Sequence, residues 1–227
     1  MKIAFPNGDA HLGICLNVFP GETLPEAAAA ITGRVRALAL ALEKELGRPP
    51  GPLGFCPWLS ASVAAEILTQ DLTRTWRKQW ETENRYVFTL NGFPWGRFHG
   101  GKVKEEVYRP DWADPRREEY TRNLARILAV WLPDGVTGSI STLPLGYAPL
   151  WQGKPLAPAT EALARTALFL SRLREETGKE IILALEPEPG CVLDLTPGVV
   201  ACFEEDIFQA GRTYLAGQTG TSEARAE

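Results

Sequence analysis

The sequence predicts an α/β fold, a (β/α) barrel of the TIM type with about five of its eight strand–helix units present. Three observations lead there. Short β-like runs alternate with longer helical stretches along 227 residues, which implies a parallel sheet covered by helices. Within each strand-like run one phase is large and apolar, while the other is small or polar. The polar phase then ends, run after run, in a side chain suited to a site: Asn17, Asn91, Ser141 and Glu186. A doubly wound sheet is the alternative, but its strands are apolar on both faces and should not show that split. A barrel does, because side chains at its C-terminal mouth build the site while the outward ones pack on helices.

In chain order, residues 1–12 read as a hairpin turning at Asn7-Gly8. The strand candidates are GICLNVF (13–19), LGFCPW (53–58), YVFTLNG (86–92), GSISTLP (138–144) and IILALEP (181–187). Their apolar phase holds Ile14, Leu16 and Val18, then Phe88 and Leu90, then Leu183 and Leu185. Helical patterns cover about 24–46, 61–81, 114–132 and 158–177, and another starts near 197. TLPE (23–26) is a capping-box sequence in which Glu26 answers Thr23. Asp114-Pro115 supplies an N-cap and a first-turn proline, and Gly178 marks a helix end. Tyr120, Leu124, Ile127, Leu128 and Trp131 recur at helical spacing and are expected to face the sheet. Residues 217–227 form a polar tail. The whole of 1–227 is expected to be a single partial barrel domain. A closed barrel of this type needs eight strands and typically about 250 residues. The chain therefore reads as the first five-eighths of one, a fragment or a shortened form. Two unpaired sheet edges would then invite self-association.

Bulk properties exclude several classes. The net charge of −4 argues against a general nucleic-acid or anionic-membrane binder. No apolar run approaches the roughly 18 residues that span a bilayer, and the N-terminus breaks into a turn too soon for a signal peptide. A cytoplasmic protein is expected. Cys15, Cys56, Cys191 and Cys202 form no C-x-x-C pair and read as buried free thiols in a reducing compartment. With His11 and His99 as the two histidines, a histidine-rich metal site is excluded.

The candidates for chemistry lie at the strand ends. Glu186 falls in the inward phase at the end of the fifth strand, where barrel enzymes keep catalytic groups. It is read as a metal ligand or general base, against a carboxylate merely paired with a neighbouring cation. Glu188 lies roughly 6.6 Å further along an ideal strand, which suggests a glycosidase-like pair. Pro187 and Pro189 turn the segment into a loop, so Glu188 is a substrate contact or a solvated charge. The longest connection, residues 91–112, mixes Phe93, Trp95, Phe98 and Tyr108 with Arg97, Lys102, Lys104 and Arg109, and carries His99. Loops this long over a barrel mouth are usually functional, and aromatic faces with fixed cations suit a sugar or sugar phosphate. The alternative is a lid packed by its own aromatics. Ser139 and Ser141 lack a triad partner and are read as polar lining.

Four segments, CLNVFPGET (15–23), YVFTLNGFPWGRFHGGKVKEEVYRPDW (86–112), GSISTLPLGY (138–147) and LALEPEPGCVLDLT (183–196), resemble the metabolite traffic protein EboE family. The likeness runs from about residue 12 to 216. That family is a xylose isomerase-like group of TIM barrels within the sugar phosphate isomerase/epimerase superfamily. The resemblance implies a divalent metal ion (Mn, Mg or Zn) at the mouth, held in part by Glu186, which removes the proton beside a substrate carbonyl. From strand phase and loop composition, His99 is read as a second catalytic candidate, and Asn17, Asn91, Trp95, Lys104, Arg109, Ser141 and Glu188 as contacts to a small-molecule sugar, sugar phosphate or cyclitol. Other ligands in such enzymes come from later strands, so these 227 residues are expected to hold metal poorly and to be inactive alone. The other readings are a non-catalytic binding or transport component for a small metabolite, and a nuclease relative, which two histidines and the acidic charge disfavour.

Overall fold

The computed structural model describes residues 1–6, 8–47, 51–99 and 105–219. An antiparallel hairpin comes first, β1 (Lys2–Phe5) against β2 (Gly8–His11). Then β3 (Gly13–Cys15), β4 (Leu53–Cys56) and β5 (Arg85–Val87) form one parallel sheet. A second parallel sheet holds β6 (Thr89–Asn91), β7 (Gly138–Thr142) and β8 (Ile181–Leu185). The Asn91 amide donates to the Pro57 carbonyl at 3.0 Å, and a parallel bridge joins Trp58 to Asn91. The strands thus follow one another in chain order, with β3 and β8 at the open edges.

The helices begin and end where the sequence signals them. The Thr23–Glu26 capping box starts α1 (Leu24–Ala28), which runs through a π-helical turn (Ala29–Arg34) into α2 (Val35–Leu46). Ser60 caps α3 (Ala61–Thr69) by accepting from the Val63 amide. The pattern over 61–81 suggests one helix, but α4 (Leu72–Thr82) is separate, because Asp71 takes a left-handed φ of 49°. Asp114 caps α5 (Pro115–Trp131). After the short α6 (Ala148–Trp151), α7 (Ala157–Thr177) ends on left-handed Gly178, where a residue without Cβ is free of penalty. Then α8 (Thr196–Ala201), a π segment (Cys202–Ile207) and α9 (Phe208–Thr219) extend helix into the expected polar tail as far as Thr219.

Two hydrophobic clusters divide the labour. The larger lies between the strands and α1 to α5. Leu124, Ile127 and Leu128 are sealed within it, beside the mutually packed rings of Trp76, Trp80 and Trp131. The smaller sits beneath the loops at the C-terminal strand ends. It joins Phe93, Tyr108 and Trp112 to Leu143, Leu145, Trp151, Cys191 and Leu193. The rim therefore has its own packed floor.

The strand phases hold with two corrections. Ile14, Phe55, Val87, Leu90 and Ile140 face the helices, while Tyr86, Thr89, Ser139, Asn91 and Ser141 share the opposite face. Phe88 belongs to the inner face, not the helix face. It is an extra residue between β5 and β6, and its ring lies over Gly13 and Gly54 beside those of His11 and Tyr86. Val18 does not pack either, at 72% exposed, because β3 ends at Cys15 and the chain turns with the Phe19 amide on the Leu16 carbonyl. Cys15 is likewise exposed rather than buried; Cys191 and Cys202 are buried and Cys56 is intermediate.

Candidate functional site

The rim is built by register. Asn91 stands beside Ser141, and Ser141 beside Ala184, so three neighbouring strands present one row of side chains to the inner face. The Asn91 Oδ1 accepts from the Phe93 amide at 2.9 Å and from the Ser141 hydroxyl at 3.4 Å. One step lower, the Ser139 hydroxyl donates to Thr89 Oγ1 at 2.7 Å. Glu186 lies two residues beyond Ala184, its amide held by the Thr142 carbonyl at 2.9 Å. Its side chain is exposed, and no partner joins its carboxylate among the described residues. In the turn after β3, the buried Asn17 Oδ1 has no hydrogen-bond donor among the described residues.

The long loop is fastened at both ends. Near its start, His99 is seated between the Asn17 carbonyl, 2.8 Å from Nε2, and Glu22, 3.2 Å from Nδ1, with the Trp58 and Phe98 rings against it. Glu22 also accepts from the backbone amides of Phe98 and His99 at 3.1 and 2.6 Å. Burial alone would raise this carboxyl, but the amides of His99, Gly21, Phe98 and Glu22 itself outweigh it and hold it at about 2. His99 is thus a latch between the loop after β6 and the segment after β3. At its far end the loop forms a 3₁₀ turn (Glu106–Tyr108). The Tyr108 ring stacks on Tyr147 at 4.9 Å, and its hydroxyl lies within hydrogen-bonding reach of Glu188 and Cys191. Burial, then Cys191 and Glu188, push that hydroxyl up from its ordinary value.

Glu188 thus lies beside the Tyr108 hydroxyl in the loop after β8. Glu188 is half-buried, and Gly190, at φ 85°, folds that loop back against Tyr147. Trp95 is turned into the scaffold, packed against the main core with Arg116 over its ring at 5.8 Å and its carbonyl on the Ala61 amide. Arg109 is exposed and 3.7 Å from Glu106. Lys104 lies outside the described residues.

Groups outside the row hold this arrangement. Arg117 is sealed from solvent, its Nε on the Pro110 carbonyl at 2.8 Å and its Nη1 on the Gly92 and Phe93 carbonyls at 3.0 Å. Burial lowers the guanidinium to about 10, which leaves it charged at neutral pH. The Tyr120 hydroxyl reaches the Leu59 and Pro94 carbonyls. Near the C-terminal strand ends, Arg109, Asp111, Asp114, Arg116, Tyr108, Tyr147 and Lys154 line a cleft of about 570 Å³. Lys154 pairs there with Asp111, and Arg116 with Asp114 at 2.6 Å.

Among the described residues no three His, Cys, Asp or Glu side chains come together in a way that could hold an ion. Glu186 alone is too few ligands for a divalent cation, so the residues present do not fit a complete metal centre.

Fold and site together define a parallel α/β protein with a polar row and a cleft at the C-terminal ends of its strands. Comparison with protein-family models, with curated proteins and with solved structures returned no match. No helix among the described residues is long and apolar enough to cross a membrane.

Proposed function

We propose that the chain forms the first five strand–helix units of a TIM-type, xylose isomerase-like barrel that binds a sugar, sugar phosphate or cyclitol at its mouth. In this reading it acts as an isomerase or epimerase in small-metabolite traffic, as the resemblance to the EboE family implies. One observation carries the reading: Asn91 and Ser141 stand at the same register on adjacent strands, with the unpartnered Glu186 carboxylate two residues above their row. Strands in unbroken chain order fit a barrel, since a doubly wound sheet reverses its order at a switch point. The chemistry assigned to these residues is modest. Asn17, Asn91 and Ser141 would orient hydroxyl groups, and Glu186 would take the proton from the carbon next to a carbonyl. The metal belongs to the reading through the resemblance alone.

The test is solvent deuterium exchange into the carbon beside the carbonyl, across a panel of aldoses, ketoses and their phosphates, with divalent ions supplied. Exchange by the native chain that is lost in Glu186→Gln is the expected result; no exchange across the panel would sink the catalytic reading. A second reading, binding without chemistry, is favoured by the cleft near the C-terminal strand ends, whose lining does not include Glu186. Retention of an unaltered ligand with equal affinity in Glu186→Gln would establish it.

A further inference from the structure

Cys15 and Cys56 occupy the same register position on adjacent parallel strands. Ile14 and Phe55, their neighbours in each strand, pack into the helix-side core, so both thiols point to the inner face. Adjacent strands lie about 4.8 Å apart, within the ~4.4–6.8 Å Cα separation that a disulfide accepts. The Cys56 sulfur leans over β3, where it would lie 2.8 Å from a Cβ on Gly13, and the missing side chain makes its room. Cys15 is exposed, whereas Cys56 is partly covered.

We propose that Cys15 and Cys56 form a thiol–disulfide exchange site, in which Cys15 attacks a small-molecule disulfide and Cys56 closes an intramolecular bond. The Cys15 thiolate attacks one sulfur of the small disulfide, forming a mixed disulfide and releasing one thiolate. Cys56 then loses its proton and attacks the Cys15 sulfur, and the second small thiolate leaves. Two protein thiols are oxidised by two electrons and one disulfide is reduced to two thiols. Burial and the neighbouring Cys15 push the Cys56 thiol up to about 11, so the exposed Cys15 opens the exchange and Cys56 resolves it. In-register side chains on parallel strands run side by side rather than converging, so the bond forms under strain and is readily reduced. It would tie β3 to β4 two residues below Asn17 and Trp58, beneath the rim.

The test is incubation of the dilute native chain with excess oxidised glutathione, followed by intact mass and non-reducing peptide mapping. The expected product is a monomer lacking two hydrogens, its disulfide mapped to Cys15 and Cys56, and dithiothreitol restores the starting mass. Cys56→Ser should instead retain one glutathione on Cys15, and Cys15→Ser should react at least tenfold more slowly. A glutathione that persists on Cys15 of the native chain, a bond to Cys191 or Cys202, or thiols that stay intact in excess oxidant would each overturn the proposal. The native-chain measurement stands by itself if either serine variant folds poorly.

Discussion

At the scale of single residues, the site depends on side chains that hold other parts in place. Glu22 accepts from two amides of the long loop while touching the His99 ring. Its folded value, about 2, lies below its ordinary 4.5, so its contribution is complete above that ordinary value. The contribution is lost as the pH falls toward 2. The urea midpoint of the native chain should therefore exceed that of Glu22→Gln by a constant amount above about pH 5. The gap should close between pH 4.5 and 2, and a pH-independent gap would assign the loss to packing. Nothing in the sequence marked Glu22, because the two loop amides that bind it arrive from more than seventy positions away. Glu186 was legible because its position depends only on strand alternation and a strand end.

At the scale of elements, the helices and strands were legible because caps and periodicity are local. The first proline after Asp114, the capping box at Thr23 and the glycine at 178 each act within one turn. The break at Asp71 was hidden, since the apolar pattern continues across it. Arg117 was hidden for a different reason: a guanidinium reads as surface, although it precedes Tyr120 by three residues and Leu124 by seven on the buried stripe. Its bonds to Gly92, Phe93 and Pro110 tie both ends of the loop to α5. Removing them strands buried carbonyls, so Arg117→Met should cost roughly 2–4 kcal/mol of unfolding free energy. The measurement is urea denaturation, with hydrogen exchange of the loop amides rising ahead of those in α5. Loss confined to global stability, with no early loop exchange, would mean that the bonds do not hold the loop.

At the scale of the whole molecule, β3 and β8 leave two strand edges open, and Ile182 on β8 is 55% exposed. Such an edge pairs readily with another chain. Sedimentation should show concentration-dependent association, and Ile182→Lys should raise the concentration at which it sets in. Identical behaviour of the two chains would move the contact elsewhere. The strand order was legible in the sequence, whereas the extra residue between β5 and β6 was not, because Phe88 looks like one more apolar residue in an alternating run. That residue also sets a depth. Tyr86 and Val87 register with the β4 side and Thr89 and Asn91 with the β7 side, each on the same face as if Phe88 were missing. Deleting Phe88 would lower Asn91 toward the hairpin by about 3.3 Å without turning any side chain over. If the row binds a small molecule as proposed, Phe88 sets how deep that molecule would reach.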